Sequence, residues 1–420
     1  TVARILQLVE SASEKKTRME NFITRFARWY TPVVTITAFL LAIVPSLMLG
    51  VPAAPWIKRA CIFLIVSCPC ALVISVPLGF FGGIGAASRE GILVKGSNYL
   101  ELVSKLAVLV TDKTGTLTKG NFVVEKIYPA EGITEEEVLS VAAEAENGST
   151  HPIAKSILQA YQEGNFLKVE LLIPDKTENR SGKGLIAKVG EKEILVGSGR
   201  LMDDFRISYT DVEDSAATIC HVARDGQYLG KICIADEIKE SSKEAILKMK
   251  MEGVKQVVML TGDSKPVAEE VGRILAVDQV YSELLPAGKV EKVEELFRGL
   301  TENGQQKGYL AFVGDGINDA PVLSRSDVGI AMGGMGSDAA IEAADIVIMD
   351  DDLGKIPRVI AIGKRTVRIA TENIVFALTV KILVLLLSAL GLANMWAAVF
   401  ADVGVTVLCI INAMRLLKKS

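Results

Sequence analysis

Charge is missing from two long stretches of this chain, residues 30–50 and 60–84. An exposed helix in water does not tolerate such runs. At about 1.5 Å rise per residue, each is long enough to cross a hydrocarbon layer of roughly 30 Å. Residues 374–392 and 394–413 form a second apolar pair, each interrupted by one ionisable residue, Lys381 and Asp402. Strong net charge is missing too. A formal charge of −4 over 420 residues, with no basic stripe, gives no reason to expect a nucleic-acid partner. No secretory signal opens the chain, which starts at Thr1 and reads as a piece of something longer.

Positive charge is distributed unevenly around the apolar pairs. Arg4, Lys15, Lys16, Arg18, Arg25 and Arg28 precede the first; Arg358, Lys364, Arg365 and Arg368 precede the third; Arg415, Lys418 and Lys419 follow the fourth. The positive-inside rule then places both termini and the long region between the pairs in the cytoplasm of a multi-pass protein of the cell membrane. Six cysteines in such a protein argue against a disulfide framework. Cys61, Cys220, Cys233 and Cys409 read as small buried hydrophobes.

The most informative residues follow the apolar run 107–110: Asp112-Lys113-Thr114-Gly115-Thr116-Leu117-Thr118. A carboxylate at the carboxyl end of a buried strand sits where open α/β sheets hold ligands, and Asp112 is a candidate nucleophile forming an acyl phosphate. Further strand-like runs end in Thr261-Gly262-Asp263 and in Gly314-Asp315-Gly316-Ile317-Asn318-Asp319, and Pro286-Ala287-Gly288-Lys289 opens a helix. Helical patterns alternate with these strands, which implies a parallel sheet covered on both faces. Phosphoryl transfer needs positioning and charge neutralisation, and each motif has a part to play. Thr261 and Gly262 hold phosphoryl oxygens, Lys289 neutralises them, and Asp315 offers a hard ligand for Mg²⁺ with Asn318 and Asp319 completing or orienting the shell.

In this order the motifs resemble the haloacid-dehalogenase superfamily, and Asp112–Thr118 is identical to the phosphorylation signature of its P-type ATPase branch. The resemblance implies ATP and Mg²⁺ as cofactors, Lys113, Thr114 and Asp263 in the catalytic set, and Asp112 and Thr114 among the Mg²⁺ contacts. Phosphatases of the superfamily carry an aspartate two residues after the nucleophile. Here that residue is Thr114, which cannot serve as the acid or base near neutral pH, so the acyl phosphate should persist.

Residues 128–235 read as an insertion into the sheet. Glu146, His151 beside Pro152, and Gly182-Lys183-Gly184 resemble the nucleotide-binding domain of heavy-metal P-type ATPases. By that likeness Glu146 and His151 contact adenine, Gly182 and Gly184 let the nucleotide approach, Gly197 also lines the pocket, and His221 has no matching role.

Ser67-Cys68-Pro69-Cys70 lies in mid-span. A proline there removes a helical hydrogen bond, a break tolerated at membrane depth only where the freed carbonyls face protein or a hydrated cavity. Cys-Pro-Cys resembles the intramembrane ion site of pumps for zinc, cadmium, lead and copper. Lys381 and Asp402 fall at similar depth, and each would cost about 2.5–3.5 kcal/mol near the bilayer centre unless paired. Two thiolates with a carboxylate suit Zn²⁺, Cd²⁺ or Pb²⁺; copper(I) gains little from Asp402. Lys381 and the Ala-Asp-Val-Gly around Asp402 resemble the zinc/cadmium/lead subgroup, while Asn373 leaves the copper(I) alternative open.

The expected fold is therefore an α/β cytoplasmic region, a haloacid-dehalogenase-like parallel-sheet domain with an inserted α+β nucleotide-binding domain, joined to four transmembrane helices. The expected division is a stalk at 1–29, a membrane pair at 30–91, the phosphorylation domain at 92–127 and 236–357, the insertion at 128–235, and a second membrane pair with its tail at 358–420. The expected function is ATP-driven export of a divalent metal. No Thr-Gly-Glu occurs, so the family's actuator domain and earlier helices, partners within the same protein, are expected to lie outside this chain. A membrane-tethered phosphatase or a metal-binding protein without pumping are the alternatives of other classes.

Overall fold

The computed structural model describes the chain except residues 1–17, 51, 150, 165–170, 181, 210–216, 303–304, 316–318, 334–337 and 418–420. The proposed stalk thus lies mostly outside the described residues. Among the described residues, four helical spans are long and apolar enough to cross a membrane: Arg28–Met48, Ala53–Arg89, Lys355–Ser388 and Met395–Leu417. The first belongs to helix α1 (Arg18–Leu49). The second is broken into α2 (Ala53–Ser67) and α3 (Cys70–Arg89). The break is written in the sequence: Cys68, the residue before Pro69, is extended at φ −64°, ψ 123°, as a residue preceding proline prefers. The third span is α4 (Lys355–Ala389), unbroken over 35 residues. The fourth comprises α5 (Met395–Val399), a π-helical turn at Phe400–Gly404, and α6 (Val405–Met414).

The chain forms two compact units. One comprises Thr1–Leu109, Leu247–Lys255 and Lys292–Ser420; the other comprises Val110–Ile246 and Gln256–Glu291. The strand Leu106–Asp112 contributes to both, its seven residues all buried.

In the unit that holds the membrane helices, Tyr309–Gly314 pairs in parallel with Val328–Met332, which pairs in parallel with Ile346–Ile348; Ile92–Val94 closes the edge antiparallel. Each of these strands is buried along its whole length, the signature of a sheet covered on both faces. Helix α4 extends out of this region. Its Lys364 amine bonds the Glu252 carbonyl and lies 3.1 Å from the Glu252 carboxylate. Where α4 passes α3 the packing leaves no room for side chains: a Cβ on Gly83 would lie 2.4 Å from Thr366 Oγ1 and 2.7 Å from Leu100 Cδ2. Small residues at such a crossing let the two helix backbones approach closely.

The other unit contains a parallel pair, Gln256–Leu260 with Gln279–Tyr281, and a six-stranded antiparallel sheet. That sheet runs in the order Thr118–Pro129, Gln227–Ile238, Thr218–Arg224, Lys192–Gly197, Gly184–Val189, Lys176–Arg180. Helices Glu135–Glu146 and Pro152–Glu163 cover one face through a core that includes Val138, Ala142, Ile157, Val222 and Ile232. Thr134 caps the first helix by accepting from the Glu137 N–H, and Pro152 starts the second at a position where no N–H is needed.

Gly83→Val tests the α3–α4 contact. Overpacking at an interface this tight should cost about 1–3 kcal/mol, read as a lowered melting temperature of the detergent-solubilised chain. Gly299→Ala, where a Cβ meets nothing within 4 Å, should leave the melting temperature almost unchanged.

Candidate phosphoryl-transfer and metal sites

Asp112 is the last residue of its strand and is 9% exposed. Its Oδ1 accepts from the Lys113 N–H at 2.8 Å, and its Oδ2 lies 2.9 Å from the Lys289 amine. The following loop turns at Gly115, whose φ of +74° a side chain would oppose. The Lys113 amine points elsewhere, 2.5 Å from the Asp263 carboxylate and 3.9 Å from that of Asp236. Thr261, buried, accepts through Oγ1 from the Asp263 N–H at 3.1 Å, which fixes the Thr261-Gly262-Asp263 turn. A Cβ on Gly262 would press on the Leu284 carbonyl at 3.3 Å. Asp112, Lys113, Thr261, Asp263 and Lys289 thus form one connected polar cluster, with Thr114 on the same loop.

Asp236, Lys239 and Ser242 belong to this neighbourhood and were not singled out from the sequence. Thr118 Oγ1 donates to Asp236 Oδ2 at 2.6 Å and lies 3.0 Å from the Lys113 carbonyl. The Lys239 amine donates to the Gly115 carbonyl at 2.8 Å, and Ser242 Oγ to that of Leu117 at 2.8 Å. Together they fasten the loop that follows Asp112. Burial pushes the Asp236 carboxyl above the usual range, against the lowering pull of the Thr118 hydrogen bond and the Lys113 charge.

Asp315 follows the strand Tyr309–Gly314, and Asp319, 2% exposed, returns to it. Each offers a carboxylate oxygen within 4.8 Å of the other. Gly314 makes this possible, since a Cβ there would meet Asp319 Oδ2 at 2.6 Å. Two hard carboxylates in such proximity fit Mg²⁺. Asn318 lies outside the described residues.

In the antiparallel sheet, Glu146 ends the first covering helix and is 7% exposed. Burial raises its carboxyl above the usual glutamate range, partly offset by a hydrogen bond from Ser149. His151 is exposed and caps the next helix, its Nδ1 accepting from the Ile153 N–H at 3.3 Å. Gly182 turns with φ +71°. Gly184 and Gly197 face each other across two strands, and a Cβ on Gly197 would lie 2.8 Å from the Gly184 Cα. Strand contact alone therefore requires glycine at both positions. His221 is next in that row, opposite Gly197, buried with Nδ1 3.0 Å from the Tyr228 hydroxyl and its ring against Tyr209.

At the α2–α3 break, Cys68, Cys70 and Asp402 bring ligand atoms within 4.8 Å of one another. The Lys381 amine, with its residue 3% exposed, is 3.3 Å from Asp402 Oδ1 and 3.1 Å from the Val66 carbonyl, and it also bonds the Cys68 carbonyl. The pairing expected for two intramembrane charges is present, and the amine takes up carbonyls released by the proline break. One expectation is corrected. Cys68 and Cys70 are joined in a disulfide rather than free. The kink at Pro69 sets their Cα atoms 5.4 Å apart, within the range a disulfide spans. A thiolate site requires that bond to be reduced. Asn373 does not reach the cluster; it bonds the backbone of Cys409 instead.

The chain resembles known proteins along almost its whole length. Residues 106–327 match the haloacid dehalogenase-like hydrolase family. The chain is 55% identical over 419 residues to the cadmium, zinc and cobalt-transporting ATPase of Bacillus subtilis, covering 99% of this chain and 58% of that protein. It is 48% identical to the zinc-transporting ATPase of Synechocystis, covering all of this chain and 57% of the relative. The crystal structure of a zinc-transporting PIB-type ATPase in its E2.Pi state superposes with a TM-score of 0.81 at 35% identity, over 99% of this chain and 67% of that one. The chain thus spans just under three-fifths of the two curated relatives.

Glu146→Gln tests the buried carboxyl. Because burial raises its folded-state pKa, the protonated form favours the fold, and that contribution is lost as pH rises above the ordinary glutamate range. The variant should match the parent in melting temperature at acid pH and exceed it increasingly toward neutrality. An equal difference at every pH would contradict the assigned cause.

Proposed function

The chain belongs to the heavy-metal-transporting P-type ATPases, and from that premise we propose that it carries the machinery for ATP-driven export of a divalent heavy-metal ion, Zn²⁺, Cd²⁺ or Pb²⁺, through an aspartyl-phosphate intermediate. The observation that carries the divalent reading is the Asp402 carboxylate beside both cysteine sulfurs with Lys381 as its resident cation. When metal enters the reduced site, two thiolates and a carboxylate suit a borderline-soft dication. When it leaves, the Lys381 amine keeps Asp402 paired, so the site is never an isolated buried anion. Copper(I) would make no use of the carboxylate, and Asn373, the residue that kept that reading open, is engaged elsewhere.

The energy source follows from Asp112. One carboxylate oxygen attacks the γ-phosphorus of ATP, the bond to the β-phosphate oxygen breaks, and ADP departs with that electron pair. Lys289, already on Asp112, balances charge on the transferred group; Lys113 is held back by Asp263 and keeps the loop in register. Mg²⁺ bound through Asp315 and Asp319 would neutralise phosphate charge. Thr114 offers no base to activate water, which gives the acyl phosphate a lifetime. Glu146, His151, Gly182, Gly184 and Gly197 are the proposed nucleotide contacts. The charge asymmetry flanking the spans supports a cytoplasmic catalytic region with both termini on the same side of the cell membrane.

Labelling with radioactive inorganic phosphate and Mg²⁺ should give an acid-stable, hydroxylamine-sensitive phosphoprotein. Asp112→Asn should abolish the label, and Thr114→Asp should shorten its lifetime; label retained in Asp112→Asn refutes the nucleophile. For the metal, Cd²⁺ should bind the chain only after reduction of Cys68–Cys70. Asp402→Ala should lose Cd²⁺ affinity and about 3–5 kcal/mol of stability by stranding Lys381. The double variant Lys381→Ala with Asp402→Ala should regain the stability without the affinity. Unchanged Cd²⁺ affinity in Asp402→Ala refutes the divalent reading.

A further inference from the structure

Asn373 is 2% exposed inside α4, eight residues and about 12 Å along the helix from Lys381. It touches neither the cysteine sulfurs nor Asp402. Its Nδ2 donates to the Cys409 carbonyl at 3.0 Å, its Oδ1 accepts from Asn412 Nδ2 at 2.9 Å, and its own carbonyl accepts from the Cys409 thiol at 3.8 Å. Cys409 is 1% exposed. The contact is reciprocal and buried, and it binds α4 to α6 on the side of the ion cluster away from the α4–α5 loop.

The same two segments are fastened a second time by Lys381 and Asp402. The fasteners are eight residues apart on α4 and seven apart on the other span. Asp402 sits inside the π-helical turn Phe400–Gly404, and Cys409 lies beyond it on α6. A π turn holds one residue more than an α turn, so its closure or release rotates the flanking segments relative to each other by as much as one residue step, about 100°. Gly404 belongs to that device: a Cβ there would lie 2.7 Å from the Phe400 ring. Where Asp402 points is therefore set by how firmly the helix beyond the π turn is held.

We infer that Asn373 is a positioning residue for the transported ion, aiming the Asp402 carboxylate at the cysteine sulfurs by locking the rotation of α6 at Cys409. The inference rests on the ion-site reading above, and it assigns Asn373 a part in discriminating divalent ions from copper(I) without contacting either. Divalent binding needs the carboxylate correctly aimed; binding of copper(I) by the two thiolates does not.

The test is titration of the reduced, detergent-solubilised chain with Cd²⁺, followed by the ultraviolet thiolate-to-cadmium band, and in parallel with Cu⁺ under anaerobic conditions. Asn373→Leu should weaken Cd²⁺ binding about three- to tenfold, the range of an intramembrane hydrogen bond. Cu⁺ affinity and phosphate labelling of Asp112 should stay the same. In an Asp402→Ala background Asn373→Leu should cause no further loss of Cd²⁺ affinity, the non-additivity expected of a residue acting through Asp402. Asn412→Leu, which removes one of the three bonds, should give a smaller loss and serves if Asn373→Leu does not fold. Unchanged Cd²⁺ affinity in whichever variant folds overturns the inference and leaves the ion site standing. Parallel loss of Cd²⁺, Cu⁺ and labelling also overturns it, because that pattern marks general unfolding. If the parent chain itself binds no Cd²⁺ when reduced, it is the ion-site reading that fails.

Discussion

A hydrocarbon layer contains no water to satisfy a broken helix, and Pro69 breaks one. Everything around the ion cluster follows from that constraint. The chain ends α2 at Ser67 and restarts at Cys70, leaving carbonyls with no partner in either helix. The Lys381 amine accepts the task for Val66 and Cys68. A buried ammonium needs an anion in turn, and Asp402 supplies it. The result is a self-contained polar core in a region where each of these groups alone would be prohibitive.

The phosphoryl-transfer cluster meets the same problem in a milder medium. Asp112 is buried beside Lys289, Lys113 beside Asp263, and Asp236 beside Thr118. Each of these three carboxylates meets a cation or a donor, Lys289, Lys113 or Thr118. The loop between Asp112 and Thr118 is tied by side chains from residues that come more than a hundred positions later, Asp236, Lys239 and Ser242. Such ties hold the loop after Asp112 still, and positioning is most of what phosphoryl transfer asks of a protein.

The sequence made the local parts of this visible. Apolar runs ending in Asp112, Thr261 and Asp315 do end strands, Pro286 does begin a helix, and the four spans are helical. These features depend on neighbours a few residues away. The fastening by Asp236 and Lys239 was not seen, because it joins segments far apart in the chain and has no periodicity of its own. Asn373 was visible as a polar residue in an apolar span but not as a clamp, since its partner is a backbone carbonyl that any residue at 409 would offer. The disulfide was missed for a different reason: two cysteines around a proline were read by their affinity for metal, and nothing in the pattern reports their oxidation state.

The unbroken length of α4 has a mechanical meaning. Lys364, near its inner end, is tethered to Glu252, and Lys381 stands seventeen residues further out, about 25 Å along one continuous rod. Such a rod neither folds nor stretches, so motion imposed at one end arrives at the other. A tilt of about 5° about Lys364 would carry the amine about 2 Å sideways. Hydrogen bonds do not survive such a displacement. The lysine that keeps Asp402 company is therefore also the tip of a lever, and its grip on that carboxylate can be loosened from outside the membrane.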